Sequence, residues 1–513
     1  MPPRETQSED HRPNGEEVIV VGAGPVGLLL ARELRLAGVS VVVLERTVER
    51  APHSKALGIH PRTIEVLAMR GLADQFLAGG VKVPAWHFAM LDNRLDFRAL
   101  PTPFPFMLAH PQVRTEELLE ADAVELGVRV LRGHTVTGLT EDADGSSVTV
   151  EVTGQDGVRY TRSAQFVVGC DGAGSTVRKA AGIDFPGTDT TIVGFLGDVH
   201  LDAPPSEMGL AWHSVHGTLA VAPAPGGLFR VMGYDAAHKD PADELTLDQL
   251  RETAIRLAGS DFGMRDPGYL SRFGNATRQA ATYREGRVLL AGDAAHMAFP
   301  AGGVGLNVGL QDAMNLGWKL AAVVQHRATP DLLDSYQSER HPVGGALAEH
   351  TLAQTLLMTT TSPEGGALRS LLSGLIASQP GFSLGLAMKL SALDVGYPAA
   401  DPRAHPLTGA RAPDLGSVED ACSLFSGVLR QGRPVLLDFS GGGLRTAAKQ
   451  AASLGIPIRA GRLAPHSDPA WSAVGAALLR PDGHVWWAAD MSVDLDAEAL
   501  HALQGLGYEA VLS

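Results

Sequence analysis

Short apolar runs alternate with amphipathic stretches along the first part of the chain. Residues 18–21 and 39–44 are nearly continuous β-branched and apolar runs, typical of parallel strands covered on both faces. The residues between them, 28–36, predict a helix, and a further buried strand is predicted far downstream at residues 287–291. This alternation favours an α/β protein with a largely parallel sheet.

The texture changes between residues 186 and 275. Short strand-like runs such as 228–232 replace the alternation of strand and helix. A helix is predicted over residues 247–257, with Thr246 as its N-cap and Gln249 at the third helical position. The segment predicts a separate sheet-containing domain inserted between two parts of the first one.

A third region follows the predicted linker at residues 407–415. Strand candidates at 434–439, 476–480 and 484–488 alternate there with helical patterns. The turn after Phe439 carries a serine and three glycines but no cysteine pair, so dithiol chemistry is excluded.

Composition and charge narrow the class of protein. The 513 residues are 45% apolar and 19% charged, as expected of a globular chain of about two to four domains. Two cysteines, Cys170 and Cys422, cannot form a disulfide framework or a multi-thiolate site, so we expect no metal and a reducing cytoplasm. The net charge of -15 argues against a nucleic-acid partner.

Two further expectations concern membranes and the N-terminus. No uninterrupted apolar stretch of about 20 residues predicts a membrane span. Residues 1–15 are polar and have no apolar core, so we expect a disordered tail and neither a signal peptide nor an anchor.

The first predicted strand runs directly into a glycine motif of the form GxGxxG. Gly22 allows the tight turn, Gly24 lets the backbone approach a pyrophosphate, and Gly27 lets the helix pack closely on the strand. Pro25 and Val26 occupy the variable positions at the start of the helix, whose N-terminus then faces the phosphates.

An acidic residue ends the second predicted strand. Glu45 stands where a carboxylate accepts hydrogen bonds from the ribose hydroxyls of a bound adenosine. Arg46 could pair with a phosphate, or could equally be a solvated surface charge. Strand, turn, helix, strand and acid together predict a Rossmann-like dinucleotide-binding domain, but not whether the dinucleotide is FAD or NAD.

The downstream strand favours FAD. It ends in Gly292 and Asp293, and an acid at the carboxyl end of a central strand can hydrogen-bond the ribityl chain of a flavin. A glycine-rich loop follows and opens a long helix. Its amides and the positive end of the helix would face the flavin ring where negative charge settles on reduction. The candidate contacts in this loop are Pro300, Gly302, Gly303, Gly305, Leu306 and Asn307.

With these motifs in order, the sequence resembles the class A flavoprotein monooxygenases of the p-hydroxybenzoate hydroxylase fold. The motifs are the GxGxxG, the Asp-Gly segment at residues 170–178, and Gly292-Asp293 with the loop at 300–307. Within that family the chain is most similar to aromatic polyketide hydroxylases acting on anthracycline-, angucycline- and tetracycline-type polycycles.

The resemblance implies further cofactor contacts. Asp171, Gly172 and Arg178 would support the flavin and help to position the pyridine nucleotide, although Arg178 could also be a surface helix residue. Further residues implied to contact the cofactor are Lys55 and Ala56 beneath the flavin ring, Gln112 and Arg114 near its sugar and phosphates, and Val136 near the adenine.

The domain organisation also follows from the resemblance. We expect a discontinuous FAD-binding domain at 16–185 and 276–400, a substrate-binding domain at 186–275 with 81–107 contributing, and a thioredoxin-like domain without CxxC at 401–513. Candidates for the wall of the substrate pocket on the inserted sheet are His213, Phe229, Met232 and Tyr234. Which of them point inward stays open, because alternate residues of one strand face opposite ways.

The implied activity is hydroxylation of a polycyclic aromatic, polyketide-derived substrate in secondary metabolism. FAD would be bound non-covalently, NADPH or NADH would dock transiently, and O2 would give a flavin hydroperoxide, so no side chain is assigned a catalytic role. A Baeyer-Villiger or epoxidising oxygenase is an alternative, and a flavin-binding sensor or scaffold without turnover is another. We expect a monomer or homodimer.

Overall fold

The fold is taken from a computed structural model of the chain. It describes residues 16–206, 211–238, 240–399, 401–415, 424–425, 427–461 and 468–506. The tail predicted at residues 1–15, and Cys422, lie outside the described residues.

The described residues form 26 β-strands. They are β1 (Val18–Val21), β2 (Val41–Glu45), β3 (Gly58–Ile59), β4 (Val81–Val83), β5 (Ala85–Trp86), β6 (Leu95–Asp96), β7 (Met107–Ala109), β8 (Arg129–Arg132), β9 (Thr135–Glu141), β10 (Val148–Thr153), β11 (Arg159–Ala164), β12 (Phe166–Gly169), β13 (Gly187–Thr188), β14 (Val193–Leu201), β15 (Ala211–Ser214), β16 (Gly217–Pro223), β17 (Phe229–Asp235), β18 (Met264–Gly274), β19 (Thr277–Gln279), β20 (Arg284–Glu285), β21 (Val288–Leu290), β22 (His296–Met297), β23 (Val435–Asp438), β24 (Ile458–Ala460), β25 (Val474–Leu479) and β26 (Val485–Asp490).

The described residues also form twelve α-helices. They are α1 (Pro25–Leu36), α2 (Pro61–Ala68), α3 (Ala73–Gly79), α4 (Gln112–Glu125), α5 (Thr176–Ala180), α6 (Leu247–Ala258), α7 (Gly305–Val324), α8 (Asp334–Thr359), α9 (Pro363–Ser378), α10 (Pro380–Leu390), α11 (Arg445–Ser453) and α12 (Leu495–Gly505).

The first domain is built on a six-stranded sheet with the order β20-β21-β12-β1-β2-β8. The five strands from β21 to β8 are parallel, and β20 pairs antiparallel at the edge. Strands β1, β12 and β21 are buried along their whole length, which is why their sequences are continuous apolar runs. The predicted α/β sheet is confirmed, although α1 begins at Pro25, earlier than the expected 28.

The inserted sheet is antiparallel, with the order β15-β16-β17-β14-β18. One face packs on α6 through an apolar cluster that includes Phe195, Val221 and Val231. Helix α6 begins as predicted, with Thr246 and Gln249 forming a reciprocal capping box. The opposite face is therefore the one available to a ligand held by the first domain.

The last sheet has the order β24-β23-β25-β26, with β23 and β24 parallel and β25 antiparallel to both of its neighbours. Leu436 and Leu478 face α11 and α12 on one side, while Leu437 and Leu479 belong to the core of the first domain on the other. This arrangement agrees with the predicted thioredoxin-like domain, and it docks the domain on the first one through a sheet face.

The hydropathy of the helices just described was compared with that of membrane-spanning helices. No single one of them is long and apolar enough to cross a membrane, and only α9 and α10 taken together, bent by 103°, meet that test by length and composition.

Candidate functional site

The first glycine turn has the geometry that its sequence predicts. Gly22 has a φ of +106°, and a Cβ there would lie 2.4 Å from the carbonyl oxygen of Cys170. A Cβ at Gly27 would lie 2.0 Å from the carbonyl oxygen of Gly22, so helix and turn touch directly. A Cβ at Gly24, by contrast, would meet no atom within 4 Å. The turn is therefore closed on two sides and open where a phosphate would approach.

Glu45 completes the turn from the neighbouring strand. Its Oε2 accepts the amide of Ala23 at 2.8 Å, and its Oε1 accepts the amide of Thr47 at 2.8 Å. Burial acts to raise the pKa of Glu45, but these hydrogen bonds outweigh it and hold the pKa below its ordinary value. The group is thus an ionised acceptor beside the turn, while the next side chain, Arg46, is exposed.

Three strand ends converge at this place because β1, β12 and β21 are neighbours in one parallel sheet. The amide of Cys170 donates to Val21 O at 2.8 Å, and the amide of Ala291 donates to Gly169 O at 3.0 Å. A Cβ on Gly292 would lie 3.0 Å from the side chain of Val26. Residues 270 positions apart in sequence therefore form one continuous edge, which is the location expected for a dinucleotide.

Asp171 lies at the centre of that edge. Its Oδ2 accepts the amides of Thr176 at 2.7 Å and Val177 at 3.2 Å, so it caps the start of α5. Its Oδ1 is buried and has no partner among the described residues. A buried acceptor without a donor is costly unless a ligand supplies one. Gly172 beside it has a φ of +80° and open space around its Cα.

Arg178 is buried, so the alternative of a surface helix residue is wrong. Its Nη1 donates to Ala294 O and its Nη2 to Ala173 O, both at 2.9 Å, and the guanidinium lies 3.7 Å over the ring of Phe185. The side chain thus ties the Asp171 segment to the turn after β21. It positions two loops, and its own donors are directed at backbone carbonyls.

Asp293 follows Gly292 in a tight turn. The residue is exposed, and partial desolvation of its carboxyl raises the pKa against the opposing influence of His296 and Lys55. An acceptor placed in this way can bind the hydroxyls of a ligand.

The loop at residues 300–307, here called the Gly302 loop, contains two backbone conformations that favour glycine. Gly302 and Gly303 have φ values of +75° and +72°. Helix α7 starts at Gly305 with no side-chain cap, and a Cβ at Gly305 would meet no atom within 4 Å. The first amides of α7 thus face open space, as an anion site at a helix start requires. Pro300 is exposed and Leu306 half-buried.

Asn307 is used within the protein. Its Nδ2 donates to Gly303 O at 2.9 Å and to Gly58 O at 3.2 Å, while its Oδ1 accepts the amide of His60 at 2.8 Å. The side chain therefore fixes the Gly302 loop against β3.

Two donors that were not among the predicted site residues hold the same loop. Nε2 of His60 lies 3.0 Å from Gly302 O, and Nε1 of Trp86 donates to that oxygen at 3.1 Å. Burial lowers the pKa of His60 to about 4, so its ring is neutral at physiological pH. The sequence shows both residues, but nothing near them indicates that they reach a loop more than 200 positions away.

The other predicted cofactor contacts differ in burial and in hydrogen-bond partners. Ala56 and Gln112 form two hydrogen bonds, from Ala56 N to Gln112 Oε1 at 3.2 Å and from Gln112 N to Ala56 O at 3.0 Å. Lys55 is exposed, and Arg114 is exposed and paired with Glu117 at 2.8 Å. Val136 is buried in β9.

The structure separates the four predicted pocket residues. Met232 and Tyr234 lie on the face of the inserted sheet that meets the Gly302 loop. His213 is on that face too, and its Nδ1 lies 3.0 Å from Thr218 Oγ1. Phe229 lies on the opposite face and packs against the α6 cluster, so its assignment to the pocket wall is wrong. The reason is register: Phe229 is three positions from Met232, and an odd interval along a strand changes the face.

An apolar cluster fills the space between the inserted sheet and the Gly302 loop. Helices α8, α9 and α10 contribute to it, a contribution that the sequence did not reveal. Its members include Phe88, Met107, Ala220, Phe299, Val304, Leu357, Ile376 and Leu390, with Met232 and Phe273 packed against it. Arg230 on the same sheet face donates to Asp198 and to the carbonyls of Ser54 and Lys55, which fastens the sheet to the first domain.

Within the described ranges, no group of three or more His, Cys, Asp or Glu side chains is arranged to hold a metal ion.

Comparison with known proteins agrees with this geometry. A family model described as an FAD binding domain matches residues 16–351, and one described as the C-terminal domain of aromatic-ring hydroxylases matches residues 405–505. The chain is 46% identical to an uncharacterized aromatic compound monooxygenase, YhjG, of Bacillus subtilis. The 491 aligned residues cover 93% of this chain and 95% of that protein.

A curated relative and a solved structure from Streptomyces rimosus are similarly close. The chain is 43% identical over 487 residues to 12-dehydrotetracycline 5-monooxygenase/anhydrotetracycline 6-monooxygenase, covering 92% of this chain and 95% of that protein. The solved structure of OxyS anhydrotetracycline hydroxylase superposes with a TM-score of 0.86 at 41% identity, covering 95% of this chain and 99% of that one.

Proposed function

This chain belongs to the FAD-dependent aromatic-ring hydroxylases, and on that premise we propose that it hydroxylates a polycyclic aromatic, polyketide-derived substrate with a reduced pyridine nucleotide. It is a flavoprotein monooxygenase. The observation that carries the proposal is the convergence of three glycine turns on one edge of the parallel sheet, together with an apolar cluster between the Gly302 loop and the inserted sheet.

The residues present fit FAD. Gly24 and Gly305 leave open space at two helix starts, for phosphates and for the flavin ring respectively. Glu45 supplies an acceptor for ribose hydroxyls, and the unpartnered Oδ1 of Asp171 supplies a second acceptor. Asp293 follows β21 at one side of the same edge, and we propose that it binds the ribityl chain. We propose that the cofactor is held by these groups without a covalent bond.

Bound FAD supplies the chemistry, by accepting a hydride from NADPH or NADH and then activating oxygen for transfer to the substrate. The chain has to stabilise negative charge on the flavin ring, and the free amides at the start of α7 are placed for that. His60 and Trp86 hold Gly302 O, so the neighbouring amides keep their direction without reorganisation.

The apolar cluster favours a large flat substrate. Its walls come from the inserted sheet, α8, α9 and α10, and aromatic side chains such as Phe273 and Phe299 meet at 5.5 Å between ring centres. Such a lining excludes water from the reacting atoms. The relatives from Streptomyces rimosus are named for tetracycline-type substrates, which are polycyclic, as the substrate proposed here is.

The remaining proposals concern context. We propose a reducing cytoplasmic location, a monomer or homodimer, and no nucleic-acid or membrane partner. A Baeyer-Villiger or epoxidising reaction on a similar polyketide, or flavin binding without turnover, are the outcomes against which the experiment is designed.

The test begins with purified protein and added FAD. NADPH or NADH is mixed anaerobically while flavin absorbance is followed, and air is then admitted in the presence of each member of a panel of polycyclic phenols and quinones. The proposal expects bleaching, recovery in air, and one substrate class that gains one oxygen atom as a ring hydroxyl.

Three results would contradict it. Protein that does not retain FAD contradicts the cofactor assignment, and flavin that is never reduced favours a sensor or scaffold. A product with a ring-expanded ester or an epoxide favours the alternative oxygen chemistry. Gly24→Val serves as the binding-deficient variant, since its side chain occupies the space assigned to phosphate and should weaken FAD uptake and every later step that depends on it.

A further inference from the structure

A buried turn of the C-terminal domain reaches into the first domain. It joins β25 to β26 and carries Arg480 and Asp482, whose side chains are each 3% exposed. Arg62 of α2 donates to Asp482 O at 2.8 Å, and Trp318 of α7 donates from Nε1 to Asp482 Oδ2 at 3.3 Å. The turn is thus held by α2 and by α7, the helix that follows the Gly302 loop.

Arg480 makes the principal contact across this boundary. Its Nη1 and Nη2 donate to the two carboxylate oxygens of Glu339 on α8 at 2.7 and 2.8 Å. Its guanidinium also lies 4.9 Å over the ring of Tyr397. Lys319 of α7 donates to the same Glu339 carboxylate at 2.7 Å. A fork-shaped cation is needed to bind the two oxygens and stack on the ring together.

From Tyr397 the contacts continue to the turn after β21. Arg340, next to Glu339 on α8, donates from Nη1 to Tyr397 Oη at 3.3 Å and from Nε to Asp312 Oδ1 at 2.7 Å. The other oxygen of Asp312 accepts the amide of Gly292 at 3.1 Å. Gly292 immediately precedes Asp293, so this route connects the C-terminal domain to the place assigned to the ribityl chain.

Basic and acidic side chains meet along the route in buried surroundings. Arg480, Lys319 and Arg340 face the carboxylates of Glu339, Asp482 and Asp312, and the side chains of all six are at most 10% exposed. Without Arg480, Glu339 keeps Lys319, while Asp482 loses a charged partner. In so little water the neighbouring groups have to move to compensate, and we expect that movement to spread along the cluster.

We propose that Arg480 is a positioning residue for the flavin site, which it fixes from the C-terminal domain through Glu339, Tyr397, Arg340 and Asp312 to the amide of Gly292. The inference rests on the proposed function in one respect, that bound FAD occupies the edge beside Asp293. It gives the C-terminal domain, which lacks a cysteine pair, a part in holding the cofactor.

Two variants of the full-length chain test the route. Arg480→Met removes the charge and keeps most of the side-chain length, while Tyr397→Phe removes only the hydroxyl that accepts from Arg340. The matched control is Arg411→Met. Arg411 also joins the C-terminal region to the first domain, through Glu65 at 2.9 Å and Pro101 O at 3.0 Å. Glu65 pairs with Arg62, which meets the turn only at the backbone oxygen of Asp482, so this control does not touch the side chains of the route.

The readouts are the dissociation constant of FAD, from flavin fluorescence, and the visible absorption band of the bound flavin, with the thermal unfolding midpoint alongside. We expect both route variants to weaken FAD binding, by roughly tenfold for Arg480→Met, and to shift the band. Arg411→Met should lower the unfolding midpoint and leave both flavin readouts unchanged.

The proposal is overturned if the route variants lose stability but bind FAD as the wild type does, with an unshifted band. It is also overturned if Arg411→Met changes the flavin readouts as strongly, or if Arg480→Met acts and Tyr397→Phe does not. Should Arg480→Met fail to fold, Tyr397→Phe decides alone. Failure of the wild type itself to take up FAD counts against the proposed function, whereas normal uptake with silent route variants counts only against this inference.

Discussion

Two glycine-rich turns in this molecule follow a buried strand and precede a helix, and they differ in what their amides contact. The turn after β1 has no side chain capping α1, and Gly24 faces open space. Its acid, Glu45, comes from the next strand and leaves the helix start free. This turn has the donors and the room that a pyrophosphate needs.

The turn after β23 is filled by its own chain. Asp438 Oδ1 accepts the amide of Ser440 at 2.9 Å, and Ser440 Oγ accepts the amide of Gly443 at 2.7 Å. At the start of α11, Asp496 of α12 accepts the amides of Thr446 and Ala447, both at 2.8 Å. The carboxylate of Asp496 thus occupies the place where an anionic ligand would bind. Glycine spacing alone does not make a phosphate site; donors left without a partner do.

The largest expected effect is that of Gly27→Val. A Cβ at this position would lie 2.0 Å from a backbone oxygen, so helix and turn must separate. We expect the free energy of unfolding to fall by about 3 kcal/mol or more and FAD to be lost. Thermal unfolding and flavin content measure both. Gly443→Val in the second turn would meet only the movable Ser440 side chain and should keep its flavin.

Gly24→Val separates binding from folding. No atom lies within 4 Å of the added Cβ, so the FAD-free protein should unfold at the wild-type midpoint. Because the side chain fills the room for the pyrophosphate, the dissociation constant of FAD should rise about a hundredfold, by the loss of charge-assisted hydrogen bonds. Unchanged FAD affinity in a well-folded variant would mean that the phosphates lie elsewhere.

Glu45→Gln tests the carboxylate that the neighbouring strand β2 supplies to the first turn. Loss of a charged acceptor should weaken FAD binding about tenfold. Because the folded-state pKa of Glu45 lies below its ordinary value of 4.5, its stabilisation is complete above that value and is lost as the pH falls through the lowered pKa. Urea unfolding at about pH 7 and about pH 4 should show less acid sensitivity in the variant. Identical pH profiles would contradict this assignment.

The smallest effect is expected at the second turn. Asp496→Ala removes the acceptor for two amides at the start of α11 and should lower the free energy of unfolding by about 1 kcal/mol. Flavin content and the rate of flavin reduction should stay at wild-type values. A drop in flavin content would show that the second turn also supports the cofactor.

Sequence reasoning succeeded where the conformation of a segment depends on its immediate neighbours, while the predicted contacts of these residues with FAD stay predictions. The glycine turn, Glu45, the capping box at Thr246 and the strand runs are local features, so their spacing predicts their conformation. It was incomplete at Arg178 and Asn307, whose partners lie up to 249 positions away. It was wrong at Phe229, since nothing in a short strand states which face meets the ligand.

The order of residues by itself determined the domain class, the positions of the glycine turns and the family, because each depends on backbone conformation set within a few residues. Tertiary structure alone decided which turn is open, which strand face lines the apolar cluster, and how the Arg480 turn reaches Gly292. These depend on distances between segments far apart in the chain, which are fixed only when the sheets and helices pack together.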